Sequence, residues 1–469
     1  MLPFSSIRQY HEALRQGHVT CVQTVQHYLD AINSNSHLNT FLEVFADEAL
    51  QHASELDKQH VKGKLHGVVI GIKDNICYKG HSSSASSKIL NQFKSPYSAT
   101  AVSRLIEEGA IIIGRQNCDE FGMGSTNENS AFAPVLNPNN LNHVAGGSSG
   151  GSAASVKAGL CMAALGSDTG GSVRLPADFC GVVGLKPSYG RVSRHGLIAY
   201  GSSFDQIGVL ANSVEDVSLV LDVIHGPDSF DGTAYNEKLE SANHSSSSKY
   251  KIAYFKEWVE HPSIDKEIRD QIIGTIDKLK TEGHTVEPVP FNFTEYIVPC
   301  YYVLTTAEAS SNLSRYDGVR YGYRTTSSST DLKTFYQKTR SEGFGKEVKR
   351  RILLGTFVLS TGYYDAYFTK AQQVRKQLQV ETDLIFKQFD FIIAPNSPSV
   401  AYKLNDKNLD PVSMYMGDIF TVFANLTGVP SISLPIFKHT SNLPFGLQVM
   451  ANRYNEVSLL LFSHQLMQQ

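Results

Sequence analysis

Two glycine–serine clusters, GGSSGGS at 146–152 and DTGGS at 168–172, flank one short helix–strand unit, and a single lysine, Lys73, closes the uncharged run GVVIGI at 67–72. Residues this small restrict the fold, because they accept φ > 0 and let backbone approach backbone or ligand where a side chain would not fit. Around the clusters, strand and helix signals alternate. The segments 66–75, 111–115 and 160–166 are short, apolar and rich in β-branched residues, as buried strands are. The segments 99–110 and 152–159 read as helices that stop at Gly109 and Gly159. This alternation predicts an α/β sheet with covering helices.

The flanking regions extend the pattern. Ser5 or Ser6 caps an amphipathic N-terminal helix, and residues 19–60 read as helical, with Thr20 as a cap before Val22, Val25, Tyr28, Leu29 and Ile32. Further on, 251–255 reads as a strand and 264–283 as a helix with Asp265 as its cap. Helices at 344–360 and 366–389 lead into a strand at 391–395, and 430–435 and 445–451 are strand candidates before a last helix. The serine-rich stretch 240–249 reads as a surface loop or linker, and the runs at 82–87 and 326–329 as short loops.

At 469 residues the chain is long enough for about three domains on length alone. Its net charge of −3 does not suit a nucleic-acid binder, so any RNA would be held mostly by another chain. The six cysteines never fall at C-x-x-C spacing, and no H-E-x-x-H occurs among the sixteen histidines, so neither residue type signals a metal site. Scattered cysteines fit a reducing compartment. No apolar run approaches the ~18 residues of a membrane span. The N-terminus lacks the features of a signal or transit peptide. A soluble cytoplasmic protein is the expectation, with a mitochondrial or plastid origin as the alternative.

The glycine–serine clusters carry the chemistry. GGSSG at 146–150 matches G-x-S-x-G, but the preceding 137–145 reads as loop rather than the strand that a nucleophile elbow requires. No Gly-Lys-Ser/Thr follows, which argues against a phosphate loop. In the second cluster, the N–H groups of Thr169, Gly170, Gly171 and Ser172 can converge as an anion nest, with the Ser172 hydroxyl at its end. The competing reading makes Ser172 a helix cap before Arg174. Lys73 ends a buried strand, and desolvation lowers an amine's pKa toward the range where it can accept a proton. Asp74 points to the opposite face of such a strand and need not hold Lys73 charged. Asp168 is expected to orient the nest, and Arg174 to be a structural donor.

Taken together, 66–75, 114–130, 145–152 and 168–208 resemble the amidase signature family over nearly the whole chain. The resemblance implies a single large domain, a mixed central β-sheet covered by helices on both faces. Its N-terminal helical segment would run over about 1–60, its signature core over about 61–210 and a substrate-pocket portion over about 250–469. It implies a Ser–cis-Ser–Lys triad in which Ser172 is the nucleophile, Ser148 the bridging cis-serine and Lys73 the base. The segments 301–322, 343–368 and 414–435 are similar to the glutaminase subunits of tRNA-dependent amidotransferases. That likeness implies that Arg351 grips the α-carboxylate of L-glutamine, that Asp418 receives its α-ammonium and that Tyr302 lines the pocket; Arg350 is the adjacent alternative to Arg351. It also implies a B-type partner that uses ATP and Mg to amidate a misacylated tRNA, a small C-type subunit, and no cofactor in this chain. A stand-alone amidase of another small amide and a non-catalytic scaffold are the alternatives.

Overall fold

The computed structural model describes residues 4, 6–237, 239, 249–327, 331–406 and 417–468. The serine-rich stretch up to Ser248, the second half of the run at 326–329, Ser5 as a cap and the start of the 414–435 segment lie outside the described residues.

Thirteen strands are present among the described residues. They are β1 (Phe41–Val44), β2 (Val69–Lys73), β3 (Ile111–Gln116), β4 (Leu136–Asn137), β5 (Asn140–Val144), β6 (Ala163–Asp168) and β7 (Val183–Lys186). The rest are β8 (Gln206–Ala211), β9 (Lys251–Phe255), β10 (Thr285–Val289), β11 (Phe391–Pro395), β12 (Ser431–Lys438) and β13 (Pro444–Ala451). β4 and β5 form a separate ribbon, and the other eleven make one sheet in the order β1-β3-β2-β6-β8-β7-β12-β13-β11-β9-β10. The sheet is mixed. β3, β2 and β6 run parallel at one end, as do β11, β9 and β10 at the other, and antiparallel pairings join the two. The pairing of β7 with β12 (Leu185 opposite Ile432) makes the sheet continuous from the first half of the chain to the second. One domain replaces the three that length suggested.

Alternation along the strands sorts side chains between two cores. Ile70 and Ile72 of β2 pack with Val102, Leu105 and Val217 on one face. Val69, with Ile111 and Ile113 of β3, packs with Val25, Ala49 and Ala153 on the other. Lys73 shares the period of Val69 and so ends the strand on the side where the helix Gly150–Lys157 lies.

The caps behave as the sequence predicts. Ser6 accepts from Gln9 N, Thr20 and Gln23 form a reciprocal capping box, and Asp265 accepts from Glu267 N and Ile268 N. The helical reading of 19–60 fails in its middle. Helices Cys21–Ser34 and Ala46–Leu56 flank β1, which pairs antiparallel with β3 at the sheet's edge. A four-residue edge strand is too short to show a period, and Asn39, at φ 54°, turns the chain into it. The long helix Thr294–Asn312 carries Pro299 and buries ten residues around its circumference, so neither an amphipathic stripe nor a clean start announces it. Among the described residues, no helix is long and apolar enough to cross a membrane.

Candidate active site

Lys73 is fully buried at the C-terminal end of β2. Its Nζ lies 2.7 Å from Ser148 Oγ, 2.9 Å from Ser149 Oγ and 2.9 Å from Ser167 Oγ. Burial pushes its pKa down from the ordinary lysine value, against the pull of Cys118, Asp119 and the other surrounding acids. Asp74 faces away and is held by Arg115 at 2.7 Å and by the N–H of Ser86 at 2.6 Å. The amine thus sits among hydroxyls, with no carboxylate in salt-bridge contact among the described residues.

Ser148 enters through a cis Gly147–Ser148 peptide, immediately before the helix Gly150–Lys157. Its carbonyl accepts from Asp119 N at 3.1 Å, and the next N–H, that of Ser149, donates to Ser172 O at 3.0 Å. The two glycine–serine clusters are therefore tied backbone to backbone. Ser172 leaves the end of β6 and is 9% exposed, facing a small cavity that Gly122, Gly147 and Gly171 also line. No hydrogen bond joins Ser148 Oγ to Ser172 Oγ among the described residues. The link between them is the shared wall: Gly122 lines the cavity and lies against Ser148 Oγ.

The nest is narrower than the four donors the sequence suggests. Asp168 accepts from Gly171 N at 2.8 Å and from Val173 N at 3.1 Å, so the Gly171 N–H is already engaged. The N–H groups of Thr169, Gly170 and Ser172 have no partner among the described residues. Gly171 adopts φ +124°, and a Cβ there would collide with Thr421 Oγ1, so only glycine fits. Asp168 is fixed by Arg174, whose remaining donors reach Thr421 O at 2.8 Å, Gln448 Oε1 at 2.6 Å and Asn425 Oδ1 at 2.7 Å. Burial pushes the Asp168 pKa up, but the guanidinium outweighs it and holds the carboxyl below its ordinary value. Arg174 thereby pins the turn after β6 to the helix Ile419–Thr427 and to β13.

Across the cavity stand two buried charges of opposite sign. Arg351 donates through Nε to Glu347 at 2.9 Å and through Nη1 to the Tyr200 hydroxyl at 2.7 Å. Asp418 accepts from Tyr302 Oη at 2.8 Å and Ser125 Oγ at 3.0 Å, and burial raises its pKa to about 6. Both line the cavity beside Ser172, and no salt bridge joins them among the described residues. Arg350 is 44% exposed and bound to Glu347 on the helix surface, away from the cavity. Tyr301 forms the wall, and Tyr302 stands behind it, holding Asp418 and lying 5.4 Å from the Arg351 guanidinium.

Sequence reasoning passed over Asp205, which connects both halves of the site. Its carboxylate accepts from Thr169 Oγ1 at 2.7 Å, Tyr200 N at 2.9 Å and Gly201 N at 3.1 Å, and burial raises its pKa to about 6. Thr169 belongs to the nest and Tyr200 holds Arg351. All three partners are donors, and an asparagine would turn an amide N–H₂ toward one of them. Asp205→Asn is expected to lower kcat/KM at this site about tenfold, from the loss of one buried charge-assisted bond. Steady-state kinetics alongside thermal melting separate this from simple unfolding.

Among the described residues, no three His, Cys, Asp or Glu side chains are grouped to hold a metal ion. What the cavity offers is a serine hydroxyl, N–H donors and two buried, mutually unpaired charges of opposite sign, with the Lys73 amine bound to Ser148 nearby. A profile of the amidase family matches residues 23–460. The chain belongs to the amidase family. It is 47% identical to the A subunit of the glutamyl-tRNA(Gln) amidotransferase of Acidobacterium capsulatum, with 96% of this chain and 95% of that protein covered. Among solved structures it is similar to the Thermotoga maritima protein of the same description, with a TM-score of 0.78, 38% identity and coverage of 94% and 93%. It also superposes, with a TM-score of 0.86 at 26% identity over 99% and 98% of the two chains, on a protein from a vestigial complex linked to an s-triazine catabolic enzyme.

Proposed function

We propose that this chain is the glutamine-hydrolysing subunit of a glutamyl-tRNA(Gln) amidotransferase. One observation carries the choice of substrate: Ser172 shares a small cavity with Arg351 and Asp418, buried charges of both signs that do not pair with each other. A free α-amino acid brings one charge of each sign, and an arginine fork suits its carboxylate. The amide side chain then extends toward Ser172.

In the proposed reaction, neutral Lys73 accepts the proton of Ser148 as Ser148 takes that of Ser172. Ser172 Oγ bonds to the side-chain carbonyl carbon of glutamine. The resulting oxyanion is received by N–H groups from Thr169, Gly170 and Ser172, each such donor being worth ~3–4 kcal/mol. The proton returns through Ser148 to the departing nitrogen, the C–N bond breaks and ammonia leaves. Water, deprotonated by the same relay, attacks the γ-glutamyl ester and frees glutamate and Ser172. Ammonia passes to a B-type subunit, which uses ATP and Mg to convert Glu-tRNA(Gln) to Gln-tRNA(Gln), with Asp-tRNA(Asn) as the alternative acceptor. A small C-type subunit completes the assembly.

The deciding experiment reconstitutes the chain with the B-type and C-type subunits of its host and follows glutamine-dependent amidation of Glu-tRNA. Amidation with glutamine supports the reading. Efficient hydrolysis of glutamine or another amide by the isolated chain, with no amidation in the assembly, overturns it in favour of a stand-alone amidase. Arg351→Met is expected to raise KM for glutamine on the order of 10²-fold, since it leaves the substrate carboxylate buried without its partner. Arg351→Lys, which keeps charge but not the fork, is expected to fall between. Initial rates against glutamine concentration distinguish the two.

A further inference from the structure

Tyr200 carries a hydroxyl into an apolar setting. It lies on the connection between β7 and β8, is 2% exposed and packs its ring with Leu313, Phe344 and Val348. A polar atom buried there costs free energy unless it is hydrogen-bonded. The Tyr200 hydroxyl accepts from Arg351 Nη1 at 2.7 Å. The guanidinium's other bond, from Nε to Glu347 at 2.9 Å, comes from four residues back on the same helix, Lys346–Val358, and moves with it. Among the described residues, Tyr200 therefore supplies the one hydrogen bond that ties the Arg351 side chain to anything outside its own helix.

The backbone of Tyr200 is fixed on both sides. Its N–H donates to Asp205 at 2.9 Å, and the same carboxylate accepts from Thr169 Oγ1 at 2.7 Å. Its carbonyl accepts from Asn312 Nδ2 at 3.1 Å, at the end of the helix Thr294–Asn312. Thr169 stands three residues before Ser172 in the turn that follows β6. Tyr200 and Asp205 thus span the distance from the Arg351 guanidinium to the turn that carries Ser172 and its N–H donors. Asp418 is held separately, by Tyr302 and Ser125.

We infer that Tyr200 is a specificity-determining positioning residue, whose hydroxyl fixes how far the carboxylate grip stands from Ser172. It thereby selects an α-amino acid whose amide carbon is two methylenes from the α-carbon, as in glutamine, over one a single methylene away, as in asparagine. The inference rests on the functional reading above. With Arg351 fixed, a shorter substrate gripped by its carboxylate leaves its amide carbon short of Ser172 Oγ. One methylene is worth about 10–200-fold in a pocket of set dimensions. Without the hydroxyl, the guanidinium keeps only the bond to its own helix, the α-carbon pivots about Asp418, and the shorter side chain comes within reach.

The test is Tyr200→Phe in the enzyme assembled with its B-type and C-type subunits, assayed for ammonia release from L-glutamine and from L-asparagine. The ring keeps its packing against Leu313, Phe344 and Val348, and only the hydroxyl is lost. KM for glutamine is expected to rise about tenfold, as loss of a hydrogen bond to a charged group implies, with kcat within about twofold of wild type. The wild-type preference for glutamine over asparagine, in kcat/KM, is expected to be at least about tenfold and to drop at least about fivefold in the variant. Amidation of Glu-tRNA driven by ammonium chloride, and the melting temperature, are expected to match wild type, which separates positioning from a folding defect. Asn312→Ala frees the Tyr200 carbonyl while leaving the hydroxyl on Arg351, and is expected to lower the same preference by a smaller factor. A Tyr200→Phe enzyme with wild-type KM and preference overturns the inference, as does a wild type that uses both amides equally; neither result touches the functional reading. A raised KM with an unchanged preference also overturns it, leaving Tyr200 as a hold on Arg351 that sets no length. A wild type that releases no ammonia from glutamine overturns the functional reading, and this inference with it.

Discussion

Ser172→Ala is expected to abolish ammonia release from glutamine, with kcat lower by about 10⁴-fold or more, as when a serine nucleophile is removed from a site whose other parts remain. The fold has little reason to notice. Ser172 Oγ makes no hydrogen bond among the described residues, while the contact that joins the two glycine–serine clusters uses its backbone carbonyl and survives the change. Glutamine binding should persist, because Arg351 and Asp418 lie on a different wall of the cavity. The cleanest assay therefore supplies the assembled enzyme with ammonium chloride in place of glutamine. Under the proposed reading, amidation of Glu-tRNA is lost with glutamine and retained with ammonium. An unchanged glutamine-dependent rate would leave Ser172 without a part in the reaction and the chain as a scaffold.

How much of this was legible in the sequence follows from the range of the interactions involved. Lys73 stands out because six uncharged residues precede it, and strand alternation correctly sends Asp74 to the other face, where Arg115 holds it. The caps at Ser6, Thr20 and Asp265 are local, so three or four residues suffice to read them. Arg351 over Arg350 could have been argued from spacing, since Val348, Arg351, Gly355 and Val358 lie at i, i+3, i+7 and i+10 on one helical face. Asp205 left no such trace. Its importance comes from partners at Thr169 and, through Tyr200, at Arg351, which only the folded sheet brings together. The engagement of the Gly171 N–H by Asp168 was equally hidden, because a run of glycines shows which donors can converge but not which are already spoken for. The helix with Pro299 was hidden because burial on all sides erases the stripe that periodicity relies on.

Lys73→Met is expected to lower kcat by about 10³-fold, within the range that a positioned general base supplies, and its pH behaviour identifies the amine as that base. In the wild type only the uncharged amine can take the proton from Ser148, so kcat/KM should rise with pH as Lys73 titrates, at a value below the ordinary 10.5 because burial opposes its charge. The methionine variant should show a flat profile over the same interval. Stability changes in the same sense. Between the depressed folded-state pKa and 10.5, the unfolded chain binds a proton at Lys73 that the folded chain does not, so folding becomes more favourable as pH rises through that window and loses this contribution as pH falls through the folded-state value. Methionine removes that slope. The melting temperature of Lys73→Met relative to wild type should therefore decline as pH increases from the folded-state pKa toward 10.5, while the activity gap between the two widens. A wild-type rate that falls with rising pH, or a melting difference that stays constant across the interval, would mean that Lys73 remains charged among Ser148, Ser149 and Ser167 and acts only as a fixed hydrogen-bond donor.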